Sequence, residues 1–306
     1  MSLTFSSPRL APQTFSTLDE AILKTLAYSD VFDYPLTLDE LHKYLVMSAT
    51  KEEIENCIED INQINFCEGY YCLSGRAEII KTRQVREQKS KPIFRRALLY
   101  GKIIAKFPFV RMVALTGSLA MLNLSSEVDM DFMLITKPKR LWFARAFAVT
   151  FGRFIRLLGD RICINLLISE NHLHWSQHDL YSAREICQMI PISGFDSLHR
   201  FRIANLWTKD FLPNANNMDS TSLLVEQTSV LQKLFELPFL SKLGDKLEQW
   251  AMNFQMKIIS RHENVGDETN FTTDICQGNF HQHKKWTMEM YEKKLKKIAP
   301  SAVLGG

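Results

Sequence analysis

Long uncharged apolar runs are missing from this 306-residue chain. The one stretch that tempts a transmembrane reading, residues 141–158, carries Arg145, Arg153 and Arg156, which are costly at a bilayer centre, so a buried helix is expected there and no membrane is expected as a partner. Residues 1–16 lack the basic and apolar regions of a signal peptide; rich in Ser, Pro and Thr, they are expected to be a disordered tail. Six cysteines, at 57, 67, 72, 163, 187 and 276, form no Cys-x-x-Cys pair and no Cys/His zinc spacing, which fits a reducing, cytoplasmic compartment. Cys67 and Cys72 flank a Glu-Gly turn and read as ordinary strand cysteines, and His281-Gln-His283, with no further ligand candidate nearby, reads as solvated surface. Glycine and proline are not in excess, no internal repeat is evident, and the length and apolar content suit two or three globular domains.

A net charge of +3 hides two opposed blocks. Residues 17–75 hold three Lys against twelve Asp and Glu, whereas residues 76–111 hold eleven Lys and Arg against Glu78 and Glu87 alone. In the acidic block the spacing predicts a helix over 18–28 and two capping boxes, Thr37 with Glu40 and Thr50 with Glu53, each opening a helix. Two short strands then flank Glu68-Gly69. Three helices and a hairpin resemble a winged helix, whose usual task is reading DNA through its third helix. Here that helix carries Glu52, Glu53, Glu55, Glu59 and Asp60, which repel phosphate, so the unit is expected to dock a protein partner or pack internally, and DNA is disfavoured. In the basic block a linker helix over 76–90 and a second helix from Pro92 to about 107 are expected, their cations either clamping a polyphosphate or acceptor, or pairing with the acidic unit.

The sharpest pattern follows. Residues 111–116 read as a strand, Gly117-Ser118 as a tight turn opening a short helix, and Asp129-Met-Asp131-Phe-Met-Leu-Ile-Thr136 as a second strand. Side chains alternate along a strand, so Asp129 and Asp131 project together while Met130, Phe132 and Leu134 enter the opposite, apolar layer. Two neighbouring carboxylates repel unless a cation sits between them, and hard oxygen ligands suit Mg²⁺ or Mn²⁺. Gly117 lets backbone approach a ligand, and the free amides that follow suit an anion. A phosphate seat therefore lies beside a metal seat.

On these residues, over roughly 92–170, the chain resembles the DNA polymerase beta-type nucleotidyltransferase superfamily, in particular its minimal nucleotidyltransferases. The resemblance implies that Asp129 and Asp131 ligate two metal ions and that Gly117 and Ser118 hold the β and γ phosphates of an NTP. It also implies a third carboxylate on a later strand, as metal ligand and proton acceptor. The matching strand, residues 161–168, holds no acid; Asn165 stands where it is expected, as a cofactor-binding residue whose amide oxygen can ligate a metal but takes up no proton at neutral pH. Arg140 and Arg145 are expected near the mouth of the site as phosphate contacts, and Trp142 and Trp207 are weighed as base platforms against core residues. The tyrosine-proline turn at 34–37 and the Ala204-Asn205-Leu-Trp207 stretch are similar to a bacterial subgroup joining a winged helix to such a core.

The expected fold is α+β: the tail 1–16, a winged-helix-like domain 17–75, a nucleotidyltransferase-like core 76–215 built on a small mixed sheet with helices on one face, and a C-terminal helical region 216–306. Within these, a turn is expected at 191–194, a boundary loop at 213–217, and helices at 223–235, 243–261 and 284–298. The expected activity is transfer of an NMP, AMP by default, from an NTP to a hydroxyl of an acceptor that is a protein, an RNA or a small molecule. The alternative is a catalytically weakened nucleotide-binding module that docks a protein partner through its winged helix.

Overall fold

Both threonine capping boxes form. Thr37 Oγ1 accepts from the Glu40 amide and the Glu40 carboxylate accepts from the Thr37 amide at 2.9 Å; Thr50 and Glu53 repeat the arrangement. They open α2 (Leu38–Tyr44) and α3 (Lys51–Ile58), after α1 (Leu18–Asp30). The hairpin of β1 (Ile64–Cys67) and β2 (Tyr70–Leu73) turns at Glu68 and Gly69. Both turn residues have positive φ, +53° and +82°, the twist that suits a two-residue hairpin loop. Ile22, Leu26, Leu36, Leu41 and Ile54 bury together beneath them. Cys67 is exposed and Cys72 buried, and every described cysteine is a free thiol.

The computed structural model describes residues 17–125, 128–215, 230–261, 268–278 and 282–298. The expected tail 1–16, the first part of the helix expected at 223–235, residues 216–217 of the expected boundary loop, and His281 lie outside the described residues.

One helix, α4 (Glu78–Ile104), replaces the two expected across the basic block, with Pro92 inside it. An internal proline forfeits one backbone hydrogen bond and costs about 3 kcal/mol. Here that cost is offset by a buried face that runs past Pro92 on both sides: Ile79, Ile80 and Arg83 before it, Ala97, Tyr100 and Ile104 after it. The opposed charges meet each other. Arg76 reaches Asp30 at 2.8 Å and Asp33 at 2.5 Å, Arg83 pairs with Glu40 at 2.6 Å between the Tyr34 and Tyr70 rings, and Arg86 donates to Phe32 O. These arginines hold the acidic unit and are taken from any role as a polyphosphate clamp.

A six-stranded mixed sheet forms the centre, in the order β6-β3-β4-β5-β8-β7. Its strands are β3 (Val110–Thr116), β4 (Asp129–Thr136), β5 (Arg161–Ser169), β6 (Ile190–Ser193), β7 (Thr269–Phe271) and β8 (Ile275–Gly278). β4 runs antiparallel to β3 and parallel to β5. The crossover from β4 to β5 is α6 (Leu141–Leu157); it buries Leu141, Trp142, Ala144, Ala148 and Ile155 but leaves Phe147, Phe154 and Leu157 exposed, so it is a half-buried helix and not the buried one expected from its sequence. Among the described residues no helix is long and apolar enough to cross a membrane.

Three expectations change here. Where a turn is expected at 191–194, residues 190–193 form an edge strand on β3; Pro191 is tolerated because only one side of an edge strand carries ladder bonds. The C-terminal region is not purely helical: β7 and β8, three and four residues long, extend the sheet. Runs this short leave no periodic signal. Nor do helices cover one face alone. Val113, Leu115, Met130, Phe132 and Leu134 pack against α4, α6 and α10 (Lys242–Ile259), which follows the short α9 (Val230–Glu236). On the other face, Met112, Ala114, Met133, Ile135 and Ile168 pack against α7 (Leu180–Gln188) and α8 (Phe195–Ala204). The last described helix, α11 (His283–Ile298), returns to the N-terminal unit, where Tyr291 is buried against Tyr28 and Lys294 pairs with Asp30.

Candidate active site

The acid pair stands at the head of β4, on the face that α7 and α8 cover lower down. Thr116, the last residue of β3, pairs with Asp131, so the chain turns into Gly117 directly over that carboxylate. Gly117 has φ +66°, and a Cβ placed on it would lie 2.5 Å from Asp131 Oδ2. A Cβ there forces the carboxylate to move. The glycine is required twice, by its left-handed backbone and by the carboxylate against it. Ser118 follows, exposed, in α5 (Gly117–Ala120). With one turn only, α5 carries little dipole, so what it offers an anion is its backbone amides, which have no partner within the helix.

Asp131 is half-buried and electrostatically unsettled. Burial first, and then the charge of Asp129, push its carboxyl up to about 6, against smaller opposing effects of Asn165 and Arg161. Asn165 Nδ2 donates to Asp131 Oδ1 at 2.5 Å. The β4–β5 register slips between Phe132 and Met133, leaving Asn165 as the extra residue of a bulge beside Asp131. Asp129 Oδ1 is buried without a hydrogen bond, although Arg161 Nε lies 3.1 Å away in an ion pair of poor hydrogen-bond geometry. The Arg161 side chain is 52% exposed, so this pair is weak and displaceable. A carboxylate oxygen without a hydrogen bond and a second carboxyl raised by burial and then by its neighbour's charge are what a small divalent cation would satisfy. Among the described residues, no three His, Cys, Asp or Glu side chains form a ready-made metal cage.

Glu185, on α7, is the group that sequence reasoning missed. Its carboxyl is pushed up to about 7 by burial and then by the charge of Asp131, so it sits within electrostatic reach of the pair. It lies between buried Ala183 and Arg184 on one side and Ile186 on the other, and the sole sequence signal was an acid on the apolar side of an amphipathic helix. Its neighbour Arg184 is held between the Tyr28 and Tyr44 rings and donates to Ser29 Oγ, tying α7 to the N-terminal unit.

Other expected contacts are placed elsewhere. Arg140 follows the opposite end of β4, about 17 Å along the strand from Asp131 at 3.3 Å per residue. It is buried, bonded to Phe239 O and paired with Asp245 at 2.7 Å. Arg145, one turn further, donates to Gln255. Both tie α6 to α10; neither is brought to the acids. Trp142 is fully buried with its indole N–H on Thr272 O, and Trp207 stacks on His178 and donates to Asn205, so both are core residues. A cavity of about 360 Å³ opens on the face of the sheet that bears the acids, lined by Leu166, Ile168, Trp175, Asn270, Ile275 and Gln277 among others. It includes neither acid, yet begins one residue beyond Asn165.

The raised carboxyls have a stability consequence. A carboxyl whose folded pKa exceeds its unfolded value, near 3.9 for Asp, favours the fold while protonated and loses that contribution as pH rises through about 6. Without divalent ions, Asp131→Asn is therefore expected to raise stability at pH 8 by about 1–2 kcal/mol, after allowance for solvent screening, and to change little below pH 4. Chemical denaturation at both pH values checks this; equal destabilisation at both contradicts it. No family model, no curated protein and no solved structure matches this chain.

Proposed function

We propose that the chain is a metal-dependent nucleotidyltransferase of the DNA polymerase beta-type superfamily, with a winged helix formed by α1–α3 and the β1–β2 hairpin. It moves an NMP, AMP by default, from an NTP to a hydroxyl of an acceptor. The observation that carries this reading is the direct apposition of the Gly117 turn and the Asp131 carboxylate, with Asp129 two residues away on the same face. A phosphate held by the turn amides is thereby adjacent to the acid pair, as transfer requires.

Asp129 and Asp131 fit a divalent cation of the Mg²⁺ or Mn²⁺ type by charge and by hardness. When bound, such an ion supplies neutralisation of the polyphosphate and polarisation of the reacting phosphoryl group. The chain's own residues do the rest. The amides after Gly117 hold the donor's terminal phosphates, and Asn165 orients Asp131 through its bulged side chain. Glu185, with its carboxyl near neutrality, is the proton acceptor for the attacking hydroxyl, in the role the strand acid lacks. The acceptor approaches over β5, β8 and β7, where the cavity lies, because β3 and its glycine turn occupy the other side of the acid strand. In-line displacement needs donor and acceptor on opposite sides of the reacting centre. AMP is named because ATP is abundant; no side chain selects adenine.

A second reading has one observation in its favour: Arg161 on Asp129 and the amide at 165 leave the pair partly satisfied without a metal. The chain is then a nucleotide-binding module docking a protein partner through the acidic winged unit. Incubating the full chain with α-labelled NTPs and Mg²⁺ or Mn²⁺ separates the two. Label transfer or pyrophosphate release, reduced at least tenfold in Glu185→Gln, supports the enzyme. Saturable NTP binding without turnover supports the module, and neither binding nor turnover ends both.

A further inference from the structure

The helical layer on the sheet face away from the acids leaves much of its outer surface apolar. Phe154, Leu157 and Leu158, on and just after α6, are 63%, 83% and 76% exposed. On α10, Leu243, Leu247, Trp250, Phe254 and Ile258 recur at helical spacing along one exposed stripe, 100° from the stripe Gly244, Glu248, Ala251, Gln255 and Ile259 that α10 buries. The helix thus has two apolar-compatible faces and one of them has no partner among the described residues. Soluble surfaces scatter such side chains singly; two sets, each contiguous along its own helix and both on one face of the sheet, mark an interaction surface.

The unengaged charge around the set is of one sign: Asp160, two residues after Leu158, is buried in a two-bond pair with Arg96. α6 contains no acid, and neither do residues 92–104 of α4. On α10 the two acids are engaged: Asp245 pairs with Arg140, and buried Glu248 accepts the Trp142 and Phe143 amides. Lys102, Arg153, Arg156, Lys246 and Lys257 are exposed among the apolar residues. A second copy would bring these cations against themselves. A nucleic acid would meet the cations but leave leucine and phenylalanine side chains in water. A surface that takes both, with anionic groups over an apolar interior, is a membrane rich in anionic lipid.

We propose that the α6–α10 face docks on an anionic membrane surface, with Phe154, Leu157, Leu158 and Trp250 entering the headgroup boundary and the surrounding Lys and Arg pairing with lipid phosphate. This is contact from one side and involves no spanning segment, so it is compatible with the arginines that exclude residues 141–158 from a bilayer core. It is also independent of the nucleotide reading, because the face lies on the opposite side of the sheet from Asp129 and Asp131.

Co-sedimentation of the full chain with vesicles tests it. Vesicles of phosphatidylcholine with one-third phosphatidylglycerol are expected to bind at least tenfold more strongly than phosphatidylcholine alone, and 0.5 M salt is expected to reverse most of that difference. Leu157→Ser/Leu158→Ser and, separately, Arg153→Glu/Arg156→Glu alter exposed positions and are each expected to cut binding at least tenfold with thermal denaturation unchanged. Equal binding to both vesicle types, no binding to either, or retention of binding in the serine pair overturns the proposal. A dimer in light scattering that the serine pair dissociates, with no vesicle binding, assigns the face to a second copy and likewise overturns it.

Discussion

On the proposed function, Asp131→Asn is expected to lower Mg²⁺-dependent NTP turnover by at least about 10³-fold, equivalent to about 4 kcal/mol of transition-state stabilisation. The size follows from what the substitution removes. One of two negative charges that gather the cation is lost, and Asn165, which donates to Asp131 Oδ1, is left facing a neutral amide. Asp129→Asn has an effect of the same order, because its buried, hydrogen-bond-free Oδ1 is the other half of the seat. The double variant is little worse than either single one, since the two acids act as a unit. Misfolding does not account for the loss: above pH 6 the Asp131→Asn variant is expected to be more stable than the wild type, so activity and stability move in opposite directions. Steady-state pyrophosphate release beside denaturation of the same preparations reads both. Turnover within a few fold of wild type removes Asp131 from the chemistry.

Gly117→Ala is expected to cost about 2–4 kcal/mol of stability and at least thirtyfold in NTP affinity. A residue with a Cβ at φ +66° pays about 1–2 kcal/mol for the backbone alone. The remainder comes from Asp131, whose Oδ2 stands 2.5 Å from the new methyl carbon and must shift out of its place. The damage therefore reaches the metal seat as well as the phosphate seat. Ser118, one residue on and exposed, provides the contrast: Ser118→Ala leaves stability within about 0.5 kcal/mol. Titration calorimetry with a non-hydrolysable MgATP analogue measures the affinities. An alanine chain that binds as wild type does shows that the turn holds no phosphate.

How much of this was legible beforehand depends on the range of the interaction. Capping boxes act over three residues and the hairpin turn over two, and both were readable at Thr37, Thr50 and Glu68-Gly69. The shared face of Asp129 and Asp131 follows from strand alternation alone. The basic block was legible as charge, but its partner was left open; opposite sign and nearness in sequence favoured the acidic unit, and Arg76 and Arg83 do meet it. Pro92 misled because the cost of one backbone bond is visible in sequence while the buried face that offsets it is not. β7 and β8 are too short to show a period, and Pro191 marks an edge as readily as a turn. At the site, Arg140 and Arg145 were assigned by nearness in sequence to the acid strand, yet a strand of eight residues carries its two ends far apart. Glu185 was invisible for the converse reason: 54 positions from Asp131, it is brought near only by α7 packing across the sheet.

Crystals of the full chain grown with Mn²⁺ and a non-hydrolysable ATP analogue, measured at the manganese absorption edge, test the central claim most directly. The account predicts anomalous density bridging the Asp129 and Asp131 carboxylates, with the analogue's terminal phosphates on the amides after Gly117 and Arg161 swung clear. Nucleotide bound away from the Gly117 turn, or acids still engaged by Arg161 and Asn165 with no anomalous density between them, contradicts it.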